Sequence, residues 1–223
     1  MKSTDTVLAA LAGYVDTLSF VALFGLFTAH VTGNFVLIGA ALTGHGQGVF
    51  LKLLVFPAFI AGVALASVLT RAAPKGRPDH AARLLYAVQG VLMLGFGAAG
   101  LMAAPIGDAE NTWVLLAGVL GTFAMGIQNA HSRVIQRPGV PNTVMTGNVT
   151  QAVLDTVELL SPTVDDPGRS SAKARLAKLV PAIVGFACGA VAGAFAYQWI
   201  GFWALLAPAA VLVWLACRAT GDH

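Results

Sequence analysis

Between Leu179 and Cys217 the chain runs for 39 residues without one charged side chain. An apolar run of that length is accommodated by crossing a lipid bilayer, whose hydrocarbon core of about 30 Å takes roughly 20 residues of helix. The run is therefore twice too long for one crossing. It divides into two, at 179–197 and 201–218, around Tyr197-Gln198-Trp199-Ile200-Gly201, where polar and aromatic side chains suit the interface. In hydrocarbon the backbone has to satisfy its own hydrogen bonds, which leaves helices as the natural element for such runs. The expected fold class is an all-α integral membrane protein.

The remainder of the 223 residues follows suit, with 57% hydrophobic and only 10% charged residues and a mean hydropathy of +0.77. Further apolar runs at 6–27, 51–70, 84–104 and 113–131 bring the expected spans to six. Asp16 is the one charge inside the first of them, and Gln89 the one strongly polar side chain of the third. The net charge of +3 does not argue for nucleic acid, because the basic residues gather in the connections. Arg71, Lys75, Arg77 and Arg83 mark one loop as cytoplasmic, Arg133 and Arg137 a second, and Arg169, Lys173, Arg175 and Lys178 a third. The loop with Asp108 and Glu110 carries no Lys or Arg and falls outside, so both termini are expected in the cytoplasm. Cys188 and Cys217 lie within apolar runs and read as small packing residues, with neither a disulfide framework nor a metal site indicated.

Two apolar segments are too short to span. Residues 33–43 follow Ala29-His30-Val31-Thr32-Gly33-Asn34, and residues 147–160 follow Val144-Met145-Thr146-Gly147-Asn148. Thr and Asn cap helix N-termini through their side-chain oxygens, and Gly permits a sharp turn or a close ligand. Counted back from the Gly44–Gly48 loop, Gly33 lies about 16 Å deep, near the bilayer centre, and Glu158 lies the same ~16 Å beyond Gly147. Each segment thus reads as a re-entrant half-helix with an irregular lead-in. Such backbone is tolerated only where it is buried in protein or lines a cavity.

The halves repeat. Gly13-x-x-Asp16 matches Gly126-x-x-Asn129, Thr32-Gly33-Asn34 matches Thr146-Gly147-Asn148, and Pro57-Ala58 matches Pro181-Ala182. Repeat one occupies 1–106 and repeat two 107–223, each with three transmembrane helices and one half-helix. An odd number of crossings turns the second repeat upside down, as in many transporters. Two half-helix N-termini, each worth roughly half a positive charge, would then face one another across the midplane and favour an anion or a dipolar oxygen. Candidate solute-binding residues are Thr32, Gly33, Asn34, Thr146, Gly147, Asn148 and His30, although Thr and Asn could equally be caps and His30 equally structural. Asp16 is the candidate proton-coupling residue, with Asn129 and Gln128 as polar partners in the other half; a fixed hydrogen bond to a neighbouring helix is the alternative for Asp16.

The stretch Ala12-Gly13-Tyr14-Val15-Asp16-Thr17-Leu18-Ser19-Phe20, with Gly25 to Asn34 after it, resembles the YoaK-like family of bacterial inner-membrane proteins. Met125-Gly126-Ile127-Gln128-Asn129-Ala130 with Met145-Thr146-Gly147-Asn148 is similar to that family's second block. The resemblance implies a multi-pass protein of the bacterial inner membrane, and its function is undefined.

The expected function is a small secondary carrier for an anionic or polar solute bound between the half-helices. A passive channel fits the same architecture, and a membrane scaffold or interaction protein without transport is the reading from another class. An enzyme is not expected, since no nucleophile–base pair, metal-ligand cluster or phosphate loop is visible. No cofactor is implied. The expected partners are the lipid bilayer and a small-molecule solute, with a homodimer as an option and no nucleic acid.

Overall fold

The computed structural model describes residues 2–74, 78–135, 140–162 and 165–219, and all regular structure among them is helical. Lys75, Arg77 and Arg137, three of the basic residues used above to orient the chain, lie outside the described residues, as do Pro138 and Gly139. The helices are α1 (Lys2–Ala22), α2 (Gly33–Leu42), α3 (Val49–Ala72), α4 (Pro78–Ala103), α5 (Thr112–Val134), α6 (Met145–Leu160), α7 (Asp166–Ile200) and α8 (Leu206–Arg218), with a 3-10 turn at Gly201–Leu205 before the last. Five helical stretches are long and apolar enough to cross a membrane: Thr4–Ala22, Val49–Ala72, Pro78–Ala103, Thr112–Val134 and the 53-residue Asp166–Arg218. The 10-residue α2 is about 15 Å long and too short to do so.

Several boundaries differ from the sequence expectation for local reasons. The first helix ends at Ala22 rather than at residue 27, because Phe24 and Gly25 take left-handed backbone angles (φ 52° and 72°) and turn the chain back along α1. Helix α6 starts two residues early, at Met145, so Thr146 and Gly147 sit in its first turn. Helix α7 starts at Asp166 instead of 179. Asp165 accepts a hydrogen bond from the Gly168 N–H (2.9 Å), and Pro167 occupies the first turn, where a missing N–H costs nothing. The break between α7 and α8 falls at Gly201 (φ 58°), within the expected turn.

Glycines set the helix crossings. A Cβ on Gly62 of α3 would strike the Phe123 carbonyl of α5, and one on Gly126 of α5 would lie 2.5 Å from the Phe59 carbonyl of α3. On the other side, a Cβ on Gly189 of α7 would strike the Ala10 carbonyl of α1, and one on Gly13 of α1 would strike the Phe186 carbonyl of α7. Both pairs run parallel, and both approach backbone to backbone, the arrangement that small residues permit in membranes. Phe59-x-x-Gly62 therefore does in one pair what Phe186-x-x-Gly189 does in the other. Their separation of 127 residues is three more than that of Pro57 and Pro181, so the proline match is nearly a turn out of register.

The remaining contacts fix directions. Helix α4 lies antiparallel to α8, with Gly90 against Leu212 and Gly100 against Phe202. It also lies antiparallel to α5, with Gly121 against Phe96 and Gln89 bonded to Gln128 at 2.7 Å. Leu8 of α1 meets Gln128 of α5, and Leu26 just beyond α1 meets Gly118, so α1 and α5 also oppose one another. A core of Leu18, Leu26, Leu51, Met93, Phe96, Met125, Ile127 and Leu212 fills the space between these helices. Cys188 and Cys217 are both exposed on the helix exterior and form no disulfide among the described residues.

Candidate functional site

The site starts at Asp16, about 9 Å back from the end of α1 at 1.5 Å per residue. After Ala22 the chain reverses and returns to this depth. Ser19 Oγ donates to the Leu26 carbonyl (3.1 Å) or to the Asp16 carbonyl (2.9 Å) and so pins the start of the return. The end of the return is held by the carboxylate: Asp16 Oδ1 accepts from the Thr28 and Ala29 backbone N–H groups, both at 2.7 Å. Asp16 Oδ2 lies 2.7 Å from His30 Nδ1. Asp16 as a whole is 2% exposed. It is therefore not the isolated charge that the sequence suggested, because a buried carboxylate with three close donors has replaced its water with protein. The His30 and Phe186 rings meet in a T-shape, 5.3 Å between centroids.

The second half builds its return differently. Asn129 Nδ2 donates to Thr143 Oγ1 (2.7 Å), so the amide gives a hydrogen bond where Asp16 only accepts them. Gln128 turns away into the core, donating to the Leu8 carbonyl and accepting from Gln89, each at 2.7 Å. It is a packing residue between α1, α4 and α5.

The two Thr-Gly-Asn segments do share one local device. Asn34 Nδ2 donates to the Phe27 carbonyl (2.8 Å) while its Oδ1 accepts from the Phe27 N–H (3.0 Å). Asn148 Nδ2 donates to the Pro141 carbonyl at 2.7 Å, across the same seven residues. Both asparagines are buried, at 0% and 4% exposure, and each closes its own lead-in loop. The capping expectation for the threonines is not met: Thr32 precedes α2 with no side-chain bond to it, and Val144, not Thr146, occupies the N-cap of α6. At Gly33 a Cβ would lie 3.0 Å from the Phe27 ring and press on it, whereas at Gly147 the nearest atom, Val144 Cγ1, is 3.8 Å away.

The two lead-ins meet at a cavity of about 330 Å³. His30 and Thr32 reach it from the first loop, Thr143 from the second, Thr146 from the first turn of α6, and Asn129 and Arg133 from α5, with Phe59 of α3 as a wall. Of the predicted residues, His30, Thr32, Asn129 and Thr146 thus line one space. Gly33, Asn34, Gly147, Asn148 and Gln128 do not, and Asp16 reaches it only through its bonds to Ala29 and His30. The sequence reading missed Thr143, Phe59 and above all Arg133, which it took for a loop charge. Arg133 stands one helical turn after Asn129 on the same face, a spacing that could have revealed it. Among the described residues no cluster of three or more His, Cys, Asp or Glu could hold a metal ion.

Residues 6–218 match the family described as a protein of unknown function, DUF1275. The chain belongs to the DUF1275 family. The DUF1275 match thereby runs from the second turn of α1 to the end of α8 and takes in every residue of the cavity. The chain is also similar to the UPF0700 transmembrane protein YoaK of Bacillus subtilis (strain 168), at 28% identity over 151 residues, 67% of this chain and 64% of that protein. It thus spans less than two thirds of the relative's length. No solved structure matches the chain. A transmembrane relative and five apolar helical stretches make this DUF1275 protein a multi-pass membrane protein.

Proposed function

We propose that the protein is a small carrier that moves an anionic or polar solute across the bacterial inner membrane through the cavity between its two Thr-Gly-Asn segments. The observation that carries this reading is that two loops 114 residues apart in sequence, each led back into the interior of an apolar helix bundle, line a single space with His30, Thr32, Thr143, Thr146 and Arg133. A bundle built for packing alone has no use for two returning loops that meet at polar side chains. The opposed directions of α1 and α5 and of α4 and α8, with the matching glycine crossings, support an inverted repeat with α2 and α6 as its re-entrant half-helices. In that arrangement both termini are cytoplasmic. The Asp16–His30 pair is the element that would carry a coupled proton, since His30 is the titratable lining residue that touches the carboxylate. No enzymatic step is proposed.

The test is solute flux into proteoliposomes across a panel of small labelled anions and neutral metabolites, with and without an imposed pH gradient. Saturable uptake identifies a carrier, and non-saturable flux a channel. Uptake that responds to the gradient in the parent and not in Asp16→Asn supports coupling. No flux of any panel member in protein shown to be folded would overturn the carrier reading in favour of a scaffold.

A further inference from the structure

Arg133 is the lining residue with a permanent charge, and among the described residues no carboxylate pairs with it. The other ionisable lining group, His30, is 2.7 Å from Asp16. Protonated, His30 is neutralised by that carboxylate; neutral, it leaves the carboxylate's single negative charge held by backbone N–H groups. The described residues therefore give the cavity and its Asp16 neighbour a net charge of +1 or 0. That balance suits one negative charge on a ligand and disfavours two.

Thr143 supplies a second polar contact. It is 3% exposed, it lines the cavity, and its Oγ1 already accepts from Asn129. Its hydroxyl proton has no acceptor among the described residues, so a ligand oxygen in the cavity would satisfy it. The rest of the wall includes the apolar Ala29, Val31, Phe59, Val144 and Met145. The volume of about 330 Å³ matches some eleven waters at about 30 Å³ each, room for an acid of a few carbons.

We propose that the cavity binds a small monocarboxylate, with its acid group on the Arg133 guanidinium and the Thr143 hydroxyl and its short apolar tail against Phe59, Val144 and Met145. This rests on reading the cavity as the solute site. The guanidinium fork meets both carboxylate oxygens at once, a geometry an ammonium cannot copy.

The experiment measures thermal stabilisation of the purified full chain in lipid-free maltoside micelles, where no lipid phosphate competes for the fork. The probes are acetate, pyruvate, succinate, inorganic phosphate and acetamide at matched ionic strength. Acetate and pyruvate should stabilise, and acetamide, the same shape without the charge, should not. Arg133→Gln should weaken pyruvate binding about ten- to hundredfold, the range that one hydrogen bond to a charged group supplies. Arg133→Lys should fall between, and Thr143→Val should weaken binding while leaving acetate favoured over acetamide. Should Arg133→Gln not fold, the Lys and Thr143→Val variants carry the test. Equal binding of acetate and acetamide, stronger binding of succinate or phosphate than of pyruvate, or unchanged pyruvate binding in every Arg133 and Thr143 variant overturns the proposal. Binding as expected with no flux in proteoliposomes removes the carrier reading and leaves this one standing. Flux that is indifferent to Arg133 does the reverse.

Discussion

Replacing Asp16 separates a carboxylate that holds the fold from one that burdens it. In Asp16→Ala, the Thr28 and Ala29 N–H groups and His30 Nδ1, each 2.7 Å from the carboxylate, lose their acceptor. Thr28 and Ala29 are 0% and 4% exposed, so water cannot readily replace it. Each of these two orphaned buried donors costs about 1–3 kcal/mol, and the part-exposed His30 loses a charge-assisted bond besides, so with imperfect additivity the total is roughly 3–5 kcal/mol. In Asp16→Asn one oxygen can still serve the two backbone groups. The amide then faces His30 Nδ1, which must give up its proton and become the acceptor. The charge assistance is lost on three bonds, a loss of about 2 kcal/mol. Asn129→Ala removes one neutral bond to Thr143, about 1 kcal/mol. The expected order of destabilisation is Asp16→Ala, then Asp16→Asn, then Asn129→Ala. Thermal unfolding in detergent, followed through tryptophan fluorescence, reads it. An uncompensated buried carboxylate would give the opposite sign, since deleting it removes a desolvation cost. Asp16→Asn as stable as the parent or more so would refute the account of Asp16 as the clamp on the return loop.

Three further outcomes follow from the packing. Gly62→Ala and Gly189→Ala each push a Cβ into a backbone carbonyl of the crossing helix and should cost about 1–3 kcal/mol or more; Gly39→Ala, with nothing within 4 Å, should be neutral or stabilising in the same melts. Gly33→Leu should disturb Phe27 and lower the melting temperature, whereas Gly147→Leu should leave it near the parent's, because only Val144 Cγ1, at 3.8 Å, lies close to its Cβ position. In the proposed topology a cysteine placed at Gln47 in a cysteine-free background reacts with a membrane-impermeant maleimide from the periplasm; labelling from the cytoplasm alone would reverse the orientation.

Length and hydropathy determined a good deal of this protein. Leu179 to Cys217 could only be helix in a bilayer, and the short runs after the two Thr-Gly-Asn segments could only be short helices, because the period and length of apolar residues are local properties. The match of Gly13-x-x-Asp16 with Gly126-x-x-Asn129 was legible too, because motif spacing is also a local property. What the sequence left open was decided by distances between segments far apart in the chain. Asp16 looked like a lone carboxylate until the chain reversed at Phe24 and laid Thr28, Ala29 and His30 against it. Asn34 and Asn148 looked like solute contacts until each reached seven residues back to close its own loop. Arg133 read only as an orienting charge; the packing of α3 against α5 also sets this exposed residue, with Phe59, beside the cavity the two loops share. A side chain's type fixes which bonds it can make; only the tertiary structure decides which partner arrives, because burial removes water from the competition and leaves the nearest protein group to take its place.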